Sequence, residues 1–189
     1  MAYSKAQIDR IGNLLVYITS KLGPTPKTKL LKLIYIIEEE SVKLSGMPFT
    51  ALTYTYFPLG PVSTFVNTQI DKKRETIKQY ITITGTSNSM VISPNAEFNG
   101  DEFSDFDLQL VDNVLAKFGS SNSDKLIDYT HRDGSLWKQL HDEHNGEIPP
   151  SGKRDFDLLK LLDEEEMDQE IRFISKEEKA FINYLTSQE

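Results

Sequence analysis

Three histidines, His131, His141 and His144, are the side chains of this 189-residue chain best suited to proton transfer near neutral pH. His131 has Asp128 and Asp133 close in sequence, which could be drawn as a general base with an orienting carboxylate. No G-x-S-x-G stretch offers a serine nucleophile. The competing reading makes His131 a helix-end residue whose charge or N–H satisfies orphan carbonyls, and the context favours it. His141 and His144 lie three apart, so both imidazoles could share a helix face, but no third ligand stands at a defined spacing. No metal site is expected, and the absence of P-loop and dinucleotide fingerprints means no cofactor is expected either.

A second group of residues raises a question of charge. Lys27, Lys29 and Lys32 open the stretch "KTKLLKLIYIIEEESVKLSG", and Glu38, Glu39 and Glu40 follow. On a helix this order opposes the macrodipole, at a cost of about 0.3–1 kcal/mol per exposed end charge. Two explanations are open. Either acidic groups of the C-terminal half offset the lysines inside the fold, which is the favoured reading, or the lysines face an acidic partner. The charge distribution permits both. Residues 1–100 carry 11 Lys+Arg against 7 Asp+Glu, and residues 101–189 carry 10 against 22. The acidic half argues against direct nucleic-acid binding, which needs a basic face.

The elements that would position these residues follow from periodicity and caps. "SKAQ" is a capping box that starts a helix from Ser4 to Leu22, ended by Gly23-Pro24. Thr25 is expected to cap, and Pro26 to open, a second helix running to about Leu44, with Gly46 as its C-terminal glycine. Leu30, Leu31, Leu33, Ile34, Tyr35, Ile36 and Ile37 cover most of its circumference, so it should be the buried spine of the core. Leu52, Tyr54 and Tyr56 alternate with threonines as a short strand. "FPLGP" is a turn, and Pro61 is expected to open a short helix through Ile70. "TIKQYITITG" and "SMVIS" read as a hairpin. Ser104, Asn122 and "SLWKQLH" mark three further helices. "HNGEIPPSG" reads as a linker. It divides the chain into residues 1–143 and a C-terminal helical extension, 144–189, packed on or appended to the first part. "SKEE" at Ser175 is a second capping box and should start a terminal helix. The expected class is α+β, predominantly helical: a bundle around a buried central helix with a small antiparallel sheet or hairpin.

Composition agrees with a globular domain, at 38% hydrophobic and 26% charged residues. There is no cysteine, which removes disulfides and thiolate chemistry and fits a reducing cytoplasm. The start lacks the apolar core of a signal peptide, and the longest apolar run, "LLKLIYII", is too short to span a bilayer.

Three signatures stand in order along the chain: "KTKLLKLIYI", "GMPFTALTYTYFPLGPV" from Gly46 to Val62, and "LIDYTHRDGSLWKQL" from Leu126 to Leu140. Together they resemble the Panacea domain, the SocA-like antitoxin family of bacteria and their phages, over about residues 10–141. The turn Gly60-Pro61-Val62 and the set Thr130, His131 and Trp137 are the most specific parts. Leu59 departs from the pattern, since an aromatic more often precedes the glycine. The resemblance implies a non-enzymatic antitoxin that binds a protein toxin encoded nearby, in the cytoplasm, with no membrane insertion. An adaptor that delivers a toxin to a Clp-type protease is the alternative it leaves, and its second surface would be Asp163–Glu170 and the C-terminal helix. A small hydrolase using His131 is the alternative from another class. The candidate partner-binding residues are Lys29, Lys32, Tyr54, Tyr56, Phe57, Gly60, Pro61 and Val62, with the aromatics as rigid anchors held by the prolines. Leu30, Leu33, Tyr35, Thr130, His131 and Trp137 are the candidate structural positions, and the Trp137 indole should bond a carbonyl.

Overall fold

A computed structural model describes residues 3–86, 89–150, 152 and 154–163. The expected terminal helix from Ser175, and most of the acidic segment Asp163–Glu170, lie outside these residues. The architecture is α+β and mostly helical. Helix α1 (Lys5–Leu22) starts on the predicted capping box, with the Ser4 hydroxyl and the Gln7 side chain exchanging bonds with each other's backbone N–H. Mid-helix, Gly12 lies against the ring of Tyr80, where a Cβ would collide.

Strand β1 (Thr25–Pro26) separates α1 from α2 (Lys27–Ser45). Here an expectation fails. Thr25 does not cap α2; it pairs with Ile92, and its hydroxyl donates to the carbonyl of Gly23. Pro26 holds the N-cap position without any side-chain cap bond. The edge of the sheet has claimed the residues that local propensity assigned to the helix start. At the other end Gly46 takes the left-handed conformation at φ 75°, and its N–H donates to Val42 O at 2.8 Å. Every residue from Leu30 to Glu39 is buried, so α2 is the spine. It is contacted by β1, β4, α5, α6 and the 3-10 helix that ends the described chain.

Strand β2 is only Tyr54–Thr55, and α3 is Thr64–Asp71 with Ser63 at its N-cap. Pro61 therefore does not open α3. It sits instead in a closed loop, where Thr55 and Val62 exchange backbone hydrogen bonds of 3.0 and 3.1 Å. A short helix α4 (Glu75–Lys78) replaces the first half of the expected hairpin strand. Strands β3 (Ile81–Thr84) and β4 (Val91–Pro94) then pair antiparallel, and β1 adds to the far side of β4, giving the order β1-β4-β3.

Helices α5 (Asp105–Phe118), α6 (Ser123–Thr130) and α7 (Leu136–Glu143) carry side-chain caps from Ser104, Asn122 and Ser135. Beyond the linker, β5 (Asp155–Phe156) pairs antiparallel with β2, and Leu158, Leu161 and Leu162 of the 3-10 helix (Leu158–Asp163) enter the main core. The described part of the 144–189 stretch is thus built into the same core as the spine. Among the described residues no helix is long and apolar enough to cross a membrane.

Candidate functional site

The loop between β2 and α3 and the loop between α6 and α7 meet over the N-terminal third of α2. The first is a β-turn, Phe57-Pro58-Leu59-Gly60, closed by Gly60 N–H donating to Phe57 O at 2.9 Å, with proline at the position that suits its fixed φ. The Trp137 indole N–H donates to the same Phe57 carbonyl at 2.8 Å, as expected of that indole. Trp137 is the centre of a stack of rings. His131 lies on it at a centroid distance of 3.5 Å and 13° between planes, His141 at 4.7 Å and 16°, and Tyr56 at 5.3 Å and 9°. The Tyr56 hydroxyl and His141 Nδ1 share a hydrogen bond of 3.0 Å. Tyr56 is 75 to 85 positions from the other three rings in the chain, and only the fold brings it to them.

Gly60 explains its own identity. Its φ of 95° is left-handed, and a Cβ there would sit 2.6 Å from Thr130 Oγ1, 2.7 Å from Lys32 Nζ and 3.1 Å from His131 Nε2. The family-type residues Gly60, Thr130 and His131 are therefore one packing unit with Lys32.

This geometry corrects several expectations about the site. Tyr54 and Tyr56 are 1% and 3% exposed, so both rings are core and not partner anchors. Strand pairing on both sides, with β5 and with Val62, turns them inward. Lys32 is 1% exposed, and its Nζ donates to Pro61 O at 2.9 Å. Lys29 donates to the carbonyl of Gly119, and Lys27 pairs with Asp71. The reversed charges of α2 are thus bound inside the fold, but by two carbonyls and an aspartate of the N-terminal half, not by the acidic C-terminal half. Gly60 and Pro61 are buried and Val62 half-buried, while Phe57 and Leu59 stand out at 37% and 60% exposure. Leu30, Leu33 and Tyr35 are fully buried in the spine.

His131 does not cap α6 as a cation. Burial, reinforced by the neighbouring Lys32 charge, pushes its imidazole down to about 4. Its backbone N–H closes the helix on Ile127 O and Asp128 O, and the side chains that reach end carbonyls are Thr130, on Ile127 O, and Arg132, on Tyr129 O. Among the described residues no carboxylate is hydrogen-bonded to the His131 ring, so the drawn acid–base pair is not assembled. No group of three or more His, Asp or Glu able to hold a metal occurs among them either.

Beside the turn opens a cleft of about 550 Å³, walled by Leu31, Lys32, Phe57, Leu59, Val62 and Met90. Deeper in α2, Glu38 is fully buried and accepts from both the N–H (3.0 Å) and the hydroxyl of Thr50. Desolvation raises its carboxyl from 4.5 to about 7 despite those bonds. Between these two values the folded protein holds a proton that the unfolded chain has released, so this group's contribution falls as pH rises. His131 acts in the opposite sense between about 4 and 6.5, and Lys32, lowered by burial to about 7, does so from there to 10.5. E38Q is therefore expected to gain stability relative to the parent by roughly 2 kcal/mol between pH 5 and 7. Urea unfolding at both pH values measures it, and parallel pH profiles for the two proteins would exclude a titrating Glu38.

A buried helical spine, a rigid ring-stacked turn over it and an open cleft beside that turn define a predominantly helical α+β scaffold. The family described as Antitoxin SocA-like, Panacea domain, matches residues 30–138, from the start of the buried run of α2 to the residue after Trp137. This is more than half of the chain, and the chain belongs to that family. Comparison with curated proteins and with solved structures returned no match. Family membership supports an antitoxin-like role and a protein partner, and it points to a non-enzymatic one.

Proposed function

We propose that this protein neutralises a cognate toxin, encoded beside it, by binding it directly through the Phe57–Val62 turn and the cleft under the lysine end of α2. The observation that carries this reading is the exposure of Phe57 and Leu59 on a turn whose backbone is held from three sides. Gly60 N–H and the Trp137 indole bond Phe57 O, and the Thr55–Val62 pair closes the loop. Apolar side chains presented on a preformed loop lose little conformational entropy on binding, which is what an interface anchor needs. Lys32, Gly60 and Pro61 support that surface from beneath, and Lys29 fastens α2 to the end of α5 through Gly119.

The test is co-expression with the product of the adjacent reading frame. Growth should be rescued and the two proteins should co-purify. Leu59→Arg, at a position 60% exposed, should leave the melting temperature unchanged and weaken binding by roughly 10–100-fold. Failure of rescue together with failure to co-purify would sink direct neutralisation.

A further inference from the structure

Away from the turn, apolar surface is also left open along the groove between α2 and α5. Lys29 reaches Gly119 O at one end of this pair and Leu44 lies by Leu110 at the other, so the two helices run antiparallel. Glu40, Leu44, Leu110, Asn113 and Lys117 line the groove. Phe106 stands one turn before Leu110 on the same face of α5. Leu44 and Phe106 are 54% and 50% exposed. At the opposite end, Lys117 Nζ lies over the rings of Phe118 and Tyr129 at 5.1 and 5.8 Å and forms no ion pair among the described residues. The groove thus has an apolar end and an end that carries one charge of each sign, on Glu40 and Lys117.

The chain itself supplies a segment patterned in the same way. The capping box at Ser175 marks a helix start, with Lys176 and Glu177 side by side in the first turn. Ala180, Phe181, Tyr184 and Leu185 then fall on one helical face. The steps agree: Glu177, Phe181 and Leu185 are spaced by single turns, as are Lys117, Asn113, Leu110 and Phe106 by about one turn each. The tether is also long enough. The 3-10 helix that ends at Asp163 packs on α2. Residues 164–174 can span roughly 36 Å when extended, whereas α2 is about 28 Å long.

We propose that residues 175–185 dock as a helix in the groove between α2 and α5. Lys176 and Glu177 straddle it at the Glu40 and Lys117 end, Phe181 enters between Leu44 and Leu110, and Leu185 covers Phe106. Charge complementarity sets the direction, and tethering selects the occupant. A segment joined this closely competes at an effective concentration on the order of millimolar, above that of a second copy or a free partner. Leu44 is about 18 Å along α2 from Lys32. The docked segment therefore leaves the Phe57–Val62 turn open, and the docking does not depend on toxin binding.

The chain has no cysteine, so introduced pairs report without background. In the full-length protein, L44C/F181C should close an intramolecular disulfide under mild oxidation roughly tenfold faster than T82C/F181C, whose first position is exposed on β3. Adding L185D to L44C/F181C should slow closure several-fold, because it removes the contact with Phe106 while leaving the tether intact. Equal rates for the two pairs overturn the proposal. Closure unaffected by L185D overturns it as well, since the cysteines would then meet only by random encounter. Disulfide-linked dimers of L44C/F181C in place of closed monomers would give the groove to a second copy and would equally overturn it.

Discussion

Trp137→Ala should lower stability by about 3–5 kcal/mol, the usual cost of emptying a buried aromatic site. The ring is only 6% exposed, and it is the shared surface for His131, His141 and Tyr56, so three neighbours lose a packing partner together. Collapse into the void is limited, because the Tyr56 backbone N–H is bonded to Arg154 O and His141 is held by its bond to the Tyr56 hydroxyl. In a domain of this size the change should appear as a fall in melting temperature of roughly 10 °C. Trp137→Phe separates two effects. It keeps most of the stack but deletes the N–H that bonds Phe57 O, and should cost about 1–2 kcal/mol. If the turn is the binding surface, the Phe variant should lose more toxin affinity than its melting temperature alone implies. A Trp137→Ala protein that melts within a degree or two of the parent would show that the ring stack does not hold the two loops together.

The spine, the caps and the class of fold were legible in the sequence because they are written locally. An apolar run around the whole circumference of a helix has one destination, and a Ser, Asn or Gly at a helix end acts within four residues. What escaped is what only tertiary pairing decides. Thr25 and Pro26 look like a helix start until Ile92 and Val91 offer them a strand edge. Tyr54 and Tyr56 look like amphipathic anchors until β5, a hundred residues later, covers them. The lysines of α2 were rightly suspected of internal bonds, but no sequence pattern names Pro61 O or Gly119 O as acceptors, since every residue has a carbonyl. Gly12 did carry a usable signal. A glycine in the middle of a helix costs about 1 kcal/mol, which asks for a close neighbour, here the Tyr80 ring. The Trp137–carbonyl bond could be anticipated because a buried indole N–H must find an acceptor. Its partner, 80 residues away, could not.

Arg132→Met should be the most damaging single change to the charge network, at about 3–5 kcal/mol. The Glu39 carboxylate is 1% exposed and is held by Arg132, with Lys43 Nζ at 2.9 Å on its other side. Arg132 also donates to Tyr129 O at 2.9 Å and lies over the Tyr129 ring at 4.1 Å, so it ties the end of α6 to the middle of the spine. Methionine keeps the packing volume but leaves a buried negative charge with only a partly exposed lysine to balance it. The physics makes a second, opposite demand. Removing both charges, as in E39M/R132M, should recover most of the loss, because a well-packed apolar pair is often no less stable than a buried ion pair. Urea unfolding of the parent, both single variants and the double variant closes the cycle. A double variant as unstable as the sum of its parts would mean that Glu39 and Arg132 act separately. In that case the bond between them would not be what fastens α6 to α2, and with it the His131 end of the binding surface.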